Sequence, residues 1–189
     1  MMQSNLPLSS KIPVREKNII LIGFMGAGKT TIGQLLAEKL GREFLDADHE
    51  IEELHGMPVT EIFKTMGEPA FRQMEKEYLT KLCRSEREKV VSLGGGSFMQ
   101  EAIREACLSS GIVYHLDLSW DSWLDRFEAL IDTRPILQSK SLAEVEEMFA
   151  SRKLVYADNH HTIAVDAQTP EQIAEAMAQQ IKAGWTREG

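Results

Sequence analysis

Along this chain, short apolar runs alternate with stretches whose apolar residues recur every three or four positions. Asn18-Ile19-Ile20-Leu21-Ile22 is the pattern of a short strand buried on both faces of a parallel sheet. Ile32, Leu35, Leu36 and Leu40 then recur at helical spacing, with Gly41 as a stop. Glu43 to Leu45, Lys89 to Leu93, Ile112 to Leu116 and Thr162 to Val165 read as further strands. Helical stretches separate them. Pro58 and Gly67 punctuate two short helices and start a longer one running to about Arg84. Glu101 to Leu108 is helical, with Gly111 as its stop. Ser119 is placed to cap a helix carrying Trp120, Trp123, Leu124 and Phe127, whose spacing points to core packing rather than base stacking. A helix from Ser141 or Leu142 to about Tyr156 and one opened by Thr169-Pro170-Glu171 complete the pattern. Strands and helices in alternation predict an α/β fold, a three-layer sandwich around a five-stranded parallel sheet.

The 189 residues suit one domain, 18–189, preceded by a flexible tail over 1–17. A hydrophobic fraction of 43% and a charged fraction of 26% are ordinary for a globular protein. The net charge of −8 argues against a nucleic-acid binder that relies on bulk positive charge, though not against a local basic pocket for an anion. No apolar run approaches membrane-spanning length, and Met1 to Lys17 lacks the apolar core of a secretory signal, so a cytoplasmic protein is expected. Cys83 and Cys107 fall in helical stretches and read as buried thiols rather than a disulfide or metal pair.

One strand-to-helix junction carries specific chemistry. Gly23-Phe24-Met25-Gly26-Ala27-Gly28-Lys29-Thr30 fits the phosphate-binding pattern G-x-x-x-x-G-K-[ST] and has the flanks that pattern needs. Backbone N–H groups of Gly26 to Lys29 would wrap a phosphate at the helix N-terminus. Lys29 would reach the β- and γ-phosphates of a nucleotide, and the Thr30 hydroxyl would ligate Mg²⁺. Asp46-Ala47-Asp48 leaves the second strand at its carboxyl end, the edge where open α/β sheets bind ligands. In an extended segment the two carboxylates face the same way. Asp46 reads as a Mg²⁺-side group and Asp48 as a ligand for a substrate hydroxyl. Asp48 also precedes a helical pattern that it would cap, and capping by one of the pair stays open.

The third strand runs into Gly94-Gly95-Gly96, which lets a ligand approach the backbone closely. That strand does not end in an aspartate, so Asp46 is the better carboxylate for a metal. Arg72 and Glu75, at i and i+3, form either a surface ion pair or a carboxylate-binding arginine oriented by a glutamate; spacing alone favours the former. Arg126 reads as a dipole partner near a helix end. The period breaks over 131–137, and a segment of about 130–141 is expected to be a mobile lid. Arg134 within it would stabilise a transferring phosphoryl group. Arg152 follows on the returning helix, and His160 and His161 read as loop residues without metal spacing.

From Ile19 to Ile173 these motifs stand in an order that resembles the shikimate kinases, small nucleoside-monophosphate-kinase-like members of the P-loop NTPases. The resemblance rests on Gly23 to Thr31; Asp46-Ala47-Asp48 followed by Ile51-Glu52; Glu61-Ile62-Phe63 with Gly67-Glu68, Phe71-Arg72 and Glu75; Gly94-Gly95-Gly96; Arg134-Pro135; and Arg152 with Tyr156 four residues on. It implies transfer of the γ-phosphoryl of ATP to the 3-hydroxyl of shikimate, on the chorismate route to aromatic amino acids, with Mg²⁺ as the metal. It implies nucleotide contacts at Gly26, Ala27, Gly28, Lys29, Thr30, Thr31 and Arg134, with Arg126 near the adenine. Mg²⁺ would lie at Thr30 and, through water, at Asp46. Asp48 would hold ring hydroxyls and act as base, with Lys29 and Arg134 completing the catalytic set. Arg72 and Arg152 would hold the substrate carboxylate and Glu75 would orient Arg72, in a substrate-binding segment of about 48–77. Gly94, Gly95 and Gly96 would bring backbone N–H groups to the substrate.

The chain departs from the family pattern at Ile136-Leu137, at Lys153-Leu154-Val155 and at Ser97-Phe98-Met99-Gln100, all bordering the substrate pocket. A kinase for another hydroxy acid such as gluconate, or for a nucleoside monophosphate, is the alternative within the class. A non-catalytic nucleotide-binding regulatory module is the alternative outside it. No Asn-Lys-x-Asp motif occurs, which argues against a GTPase. The expected partners are ATP and shikimate, with no nucleic acid and no membrane, and the expected form is a monomer.

Overall fold

The computed structural model describes residues 12–131 and 135–186. Strands β1 (Asn18–Ile22), β2 (Glu43–Asp46), β3 (Lys89–Ser92), β4 (Gly111–Asp117) and β5 (His161–Ala164) form one parallel sheet in the order β2-β3-β1-β4-β5. Every residue of the central strand β1 is buried, which is why it reads as a continuous apolar run. Ile20 lies opposite Val91 on one side and Val113 on the other.

Helices cover both faces. Leu21 faces Gly33 of α1 (Lys29–Leu40), which in turn packs on α9 (Pro170–Trp185). Ile20, pointing the opposite way by strand alternation, lies near the end of α5 (Glu101–Ser110), which packs on α4 (Glu68–Ser85). The expected three-layer sandwich is therefore observed. The chain is completed by α2 (Ala47–His55), α3 (Val59–Met66), α6 (Trp120–Ile131), α7 (Pro135–Gln138) and α8 (Leu142–Tyr156). A second small core of Ile51, Ile62 and Phe71 ties α2, α3 and α4 together beside the sheet.

Local signals account for most boundaries. Gly41, at φ +64°, ends α1 in the left-handed conformation that glycine tolerates. Ser141 and Thr169 each form a complete capping box. Gly111 ends α5 as expected, as its C-cap in extended backbone, and it also begins β4. Two readings change. His161 begins β5, and His160 exchanges hydrogen bonds with Val113: its Nδ1 accepts the Val113 N–H (2.9 Å) and its own N–H meets the Val113 carbonyl (3.0 Å). His161 therefore extends the sheet, while His160 lies in the bend before it as expected. Within the segment expected to be a loose tail, Val14–Glu16 form a 3-10 turn. The Glu16 carbonyl accepts from the Glu88 N–H (2.9 Å) and the Lys17 carbonyl from Arg42 (2.8 Å). Cys83 and Cys107 are buried thiols as expected, with sulfurs 3.9 Å apart.

Candidate active site

At its carboxyl end β1 enters the glycine-rich loop, on the edge of the sheet where α/β folds bind ligands. Gly26 and Gly28 sit at φ +83° and +92°, and Gly28 is the N-cap of α1. The first turn of α1 leaves N–H groups without intrahelical acceptors, so the loop offers donors and a positive dipole end to an anion. Ala27 is an exception among the expected phosphate-facing groups. Its N–H closes a turn onto the Phe24 carbonyl (3.1 Å), and its side chain is buried. Lys29 Nζ reaches back to the Gly23 and Phe24 carbonyls at 2.7 and 3.2 Å. A cavity of about 240 Å³ opens over Gly26, Gly28, Lys29, Thr30 and Thr31, with Asp46 and Asp48 opposite.

The two aspartates are not a side-by-side pair on an extended segment. α2 begins at Ala47, so the backbone turns between them. Asp46, not Asp48, is the N-cap: its Oδ1 accepts from the N–H groups of Asp48 (3.1 Å) and His49 (3.4 Å). Its Oδ2 accepts from the Thr30 hydroxyl at 2.9 Å. A hydroxyl and a carboxylate oxygen side by side fit a hard cation whose other positions are filled by water and phosphate. Among the described residues no group of three or more His, Cys, Asp or Glu forms a closed metal site.

Asp48 instead turns toward Gly94, where an added Cβ would lie 2.8 Å from its Oδ1. The other two glycines make room in the same way for the arginines. A Cβ on Gly95 would lie 3.3 Å from Arg152 Nη1, and one on Gly96 would lie 2.7 Å from Arg72 Nη2. Residues from α4, α8 and the loop after β3 thus meet around a second cavity of about 470 Å³. Met25, Asp48, Gly94 and Gly95 line both cavities and form their common wall.

The arginines differ electrostatically. Arg72 Nη1 donates to Glu75 Oε2 at 2.6 Å, and Glu68 lies beyond at 3.3 Å. Burial pulls the Arg72 pKa down, but the charge and hydrogen bond of Glu75, with Glu68, outweigh it and the net shift is upward. Glu75 is only 1% exposed, so this is no surface ion pair. Arg152 makes no ion pair among the described residues and lies over the Phe24 ring at 5.7 Å. Burial lowers its pKa, Tyr156 opposes the shift, and the charge of Arg72 adds to it. Tyr156 donates to the Gly95 carbonyl at 2.5 Å, and burial raises its own pKa to about 12 against the pull of Arg152.

Two residues of α6 hold the loop in ways that periodicity alone does not reveal. Trp123, read only as core, also donates its indole N–H to the Met25 carbonyl at 3.0 Å. Arg126 lies mid-helix rather than in the last turn, and donates to the Gly26 carbonyl at 2.6 Å instead of serving as a dipole partner. Arg134 lies outside the described residues. Ser139 and Lys140, just beyond it, line the second cavity, and Leu130, just before it, lines the first. No helix among the described residues is long and apolar enough to cross a membrane.

The family model described as Shikimate kinase matches residues 25–182. The shikimate kinase of Bacillus subtilis (strain 168) is 51% identical over 174 residues, covering 92% of this chain and 94% of that protein. That of Geobacillus thermodenitrificans (strain NG80-2) is 51% identical over 175 residues, covering 92% and 93%. Among solved structures, shikimate kinase from Acinetobacter baumannii in complex with shikimate superposes with a TM-score of 0.81 at 37% identity, covering 88% of this chain and 93% of that one. The Aquifex aeolicus enzyme gives 0.75 at 28% identity, covering 88% and 96%. Phosphate loop, arginine-lined cavity and relatives agree across most of the length, and the chain belongs to the shikimate kinase family.

Proposed function

We propose that this protein transfers the γ-phosphoryl group of ATP to the 3-hydroxyl of shikimate, yielding shikimate 3-phosphate and ADP in aromatic amino-acid biosynthesis. The observation that carries this reading is the common wall of the two cavities, which puts Asp48 between a phosphate-binding loop and an arginine pair. Phosphoryl transfer depends on in-line placement and charge neutralisation more than on covalent chemistry. Gly26, Gly28 and the start of α1 at Lys29, Thr30 and Thr31 would hold the phosphates, with Arg126 on the nucleotide side through the loop. Thr30 and Asp46 would hold Mg²⁺, which when bound with the nucleotide neutralises phosphate charge.

On the other side, Arg72 and Arg152 would grip the carboxylate, because a guanidinium fork matches it bidentately. Arg152, half-buried and without an ion pair among the described residues, supports an anionic ligand there. Asp48 would align the acceptor hydroxyl and take its proton, while Gly94, Gly95 and Gly96 keep the substrate close to the backbone. The substrate-binding segment is about 48–77. The lid is the segment of about 130–141, whose flanks line both cavities, and Arg134 is its phosphoryl-stabilising cation. The free thiols suit a cytoplasmic setting, and the protein acts as a monomer. Neither nucleic acid nor a membrane has a place in the reaction.

The test is ADP release with Mg²⁺ and ATP, in the presence of shikimate, gluconate or a set of nucleoside monophosphates. Release that depends on shikimate alone is expected. Release driven by another acceptor would retain the kinase and overturn the acceptor.

A further inference from the structure

Resting on the reading of Arg72 as a carboxylate ligand, we propose that Ser97 and Gln100 are positioning residues that set the affinity for the acid substrate through Glu75. Glu75 faces more than its arginine. Its Oε1 accepts from the Ser97 hydroxyl at 2.5 Å, and its Oε2 accepts from Gln100 Nε2 at 3.1 Å as well as from Arg72. Both Ser97 (0% exposed) and Glu75 (1%) are buried. A buried carboxylate has few ways to satisfy its lone pairs, so these donors determine where its oxygens lie.

The donors come from the segment immediately after the three glycines. The Ser97 N–H closes a turn on the Gly94 carbonyl (3.1 Å), and Gln100 caps the turn that follows. The segment that shapes the glycine wall is therefore bonded to the carboxylate that aims Arg72. Neither Ser97 nor Gln100 lines the acid cavity, whereas Arg72 and Glu75 do. Through their side-chain hydrogen bonds to Glu75 they reach the substrate by way of the Glu75–Arg72 pair. With the donors removed, Glu75 is free to rotate and the guanidinium loses its fixed place over Gly96.

The experiment compares Ser97→Ala, Gln100→Met and Arg72→Ala, alone and combined, in the full chain. Ser97→Ala and Gln100→Met are each expected to raise the KM for shikimate about three- to tenfold while the KM for ATP moves less than twofold. In the Arg72→Ala background neither should add more than a further twofold, because residues acting through one partner are non-additive. Gln100 is half-buried, so its variant provides the test if Ser97→Ala does not fold. An unchanged shikimate KM in both single variants, an equal rise in the KM for ATP, or full additivity with Arg72→Ala overturns the proposal. An unchanged shikimate KM in Arg72→Ala itself overturns the carboxylate reading, and this proposal with it.

Discussion

Asp48 has its carboxylate in the common wall of the two cavities, and Gly94 leaves it there by lacking a side chain of its own. Asp48→Asn keeps the shape and removes the proposed base, so kcat is expected to fall by about 10²- to 10⁴-fold with ATP affinity retained. ADP release and a nucleotide titration check both halves, and a near-normal kcat would remove Asp48 from the chemistry. Gly96 poses the complementary case. Its backbone is ordinary right-handed helical, so alanine costs little conformationally, but the new Cβ would occupy the place of the Arg72 guanidinium. Gly96→Ala is therefore expected to raise the shikimate KM with little change in Tm; unaltered kinetics would show that the arginine relocates without consequence. Gly94, Gly95 and Gly96 were legible as a place of close approach. What approaches was not, because Arg72 and Arg152 arrive from two other helices.

Among the elements, the start of α2 does two jobs with one residue. Asp46 caps the helix with Oδ1 and meets Thr30 with Oδ2. Asparagine caps about as well as aspartate, whereas alanine does not. Asp46→Asn should therefore keep stability but raise the Mg²⁺ concentration needed for half-maximal ADP release. Asp46→Ala should do the same and also lose about 1 kcal/mol in urea unfolding. Equal Mg²⁺ dependence in wild type and Asp46→Asn would reduce Asp46 to a cap. Strand and cap signals made this junction legible. The split of roles between the aspartates was not, since capping by Asp46 turns the chain and sends Asp48 toward β3's glycines.

For the whole molecule, stability is tied to pH through a buried strand beside the sheet's centre. His115 on β4 is buried against the Tyr156 ring. Burial lowers its pKa from the usual 6.5, Asp117 opposes this, and Lys153 and Lys29 add to it. The folded protein keeps the ring neutral, while the unfolded chain takes up a proton below about pH 6.5. Stability from this residue is thus fully present above that pH and is lost as pH falls toward the lower folded value. The urea midpoint is expected to decline from pH 7 to 5, and His115→Phe should reduce that slope. His160 and His161, also lowered by burial, keep part of it. An unchanged slope in His115→Phe would show that this ring does not resist protonation.

The sequence by itself determined the strands, most helix ends, the phosphate loop and the identity of the charged residues around it. Those features depend on period, on cap chemistry and on neighbours within a turn or two. Only the tertiary structure decided what each charged residue touches. The bonds that matter join Ser97 to Glu75 across 22 positions, Trp123 to Met25 across 98 and Arg126 to Gly26 across 100. Burial decided the rest. The same i, i+3 spacing that describes a weak surface ion pair describes a guanidinium held in place once Glu75 lies in the interior, and no local pattern records which of the two the packing will make.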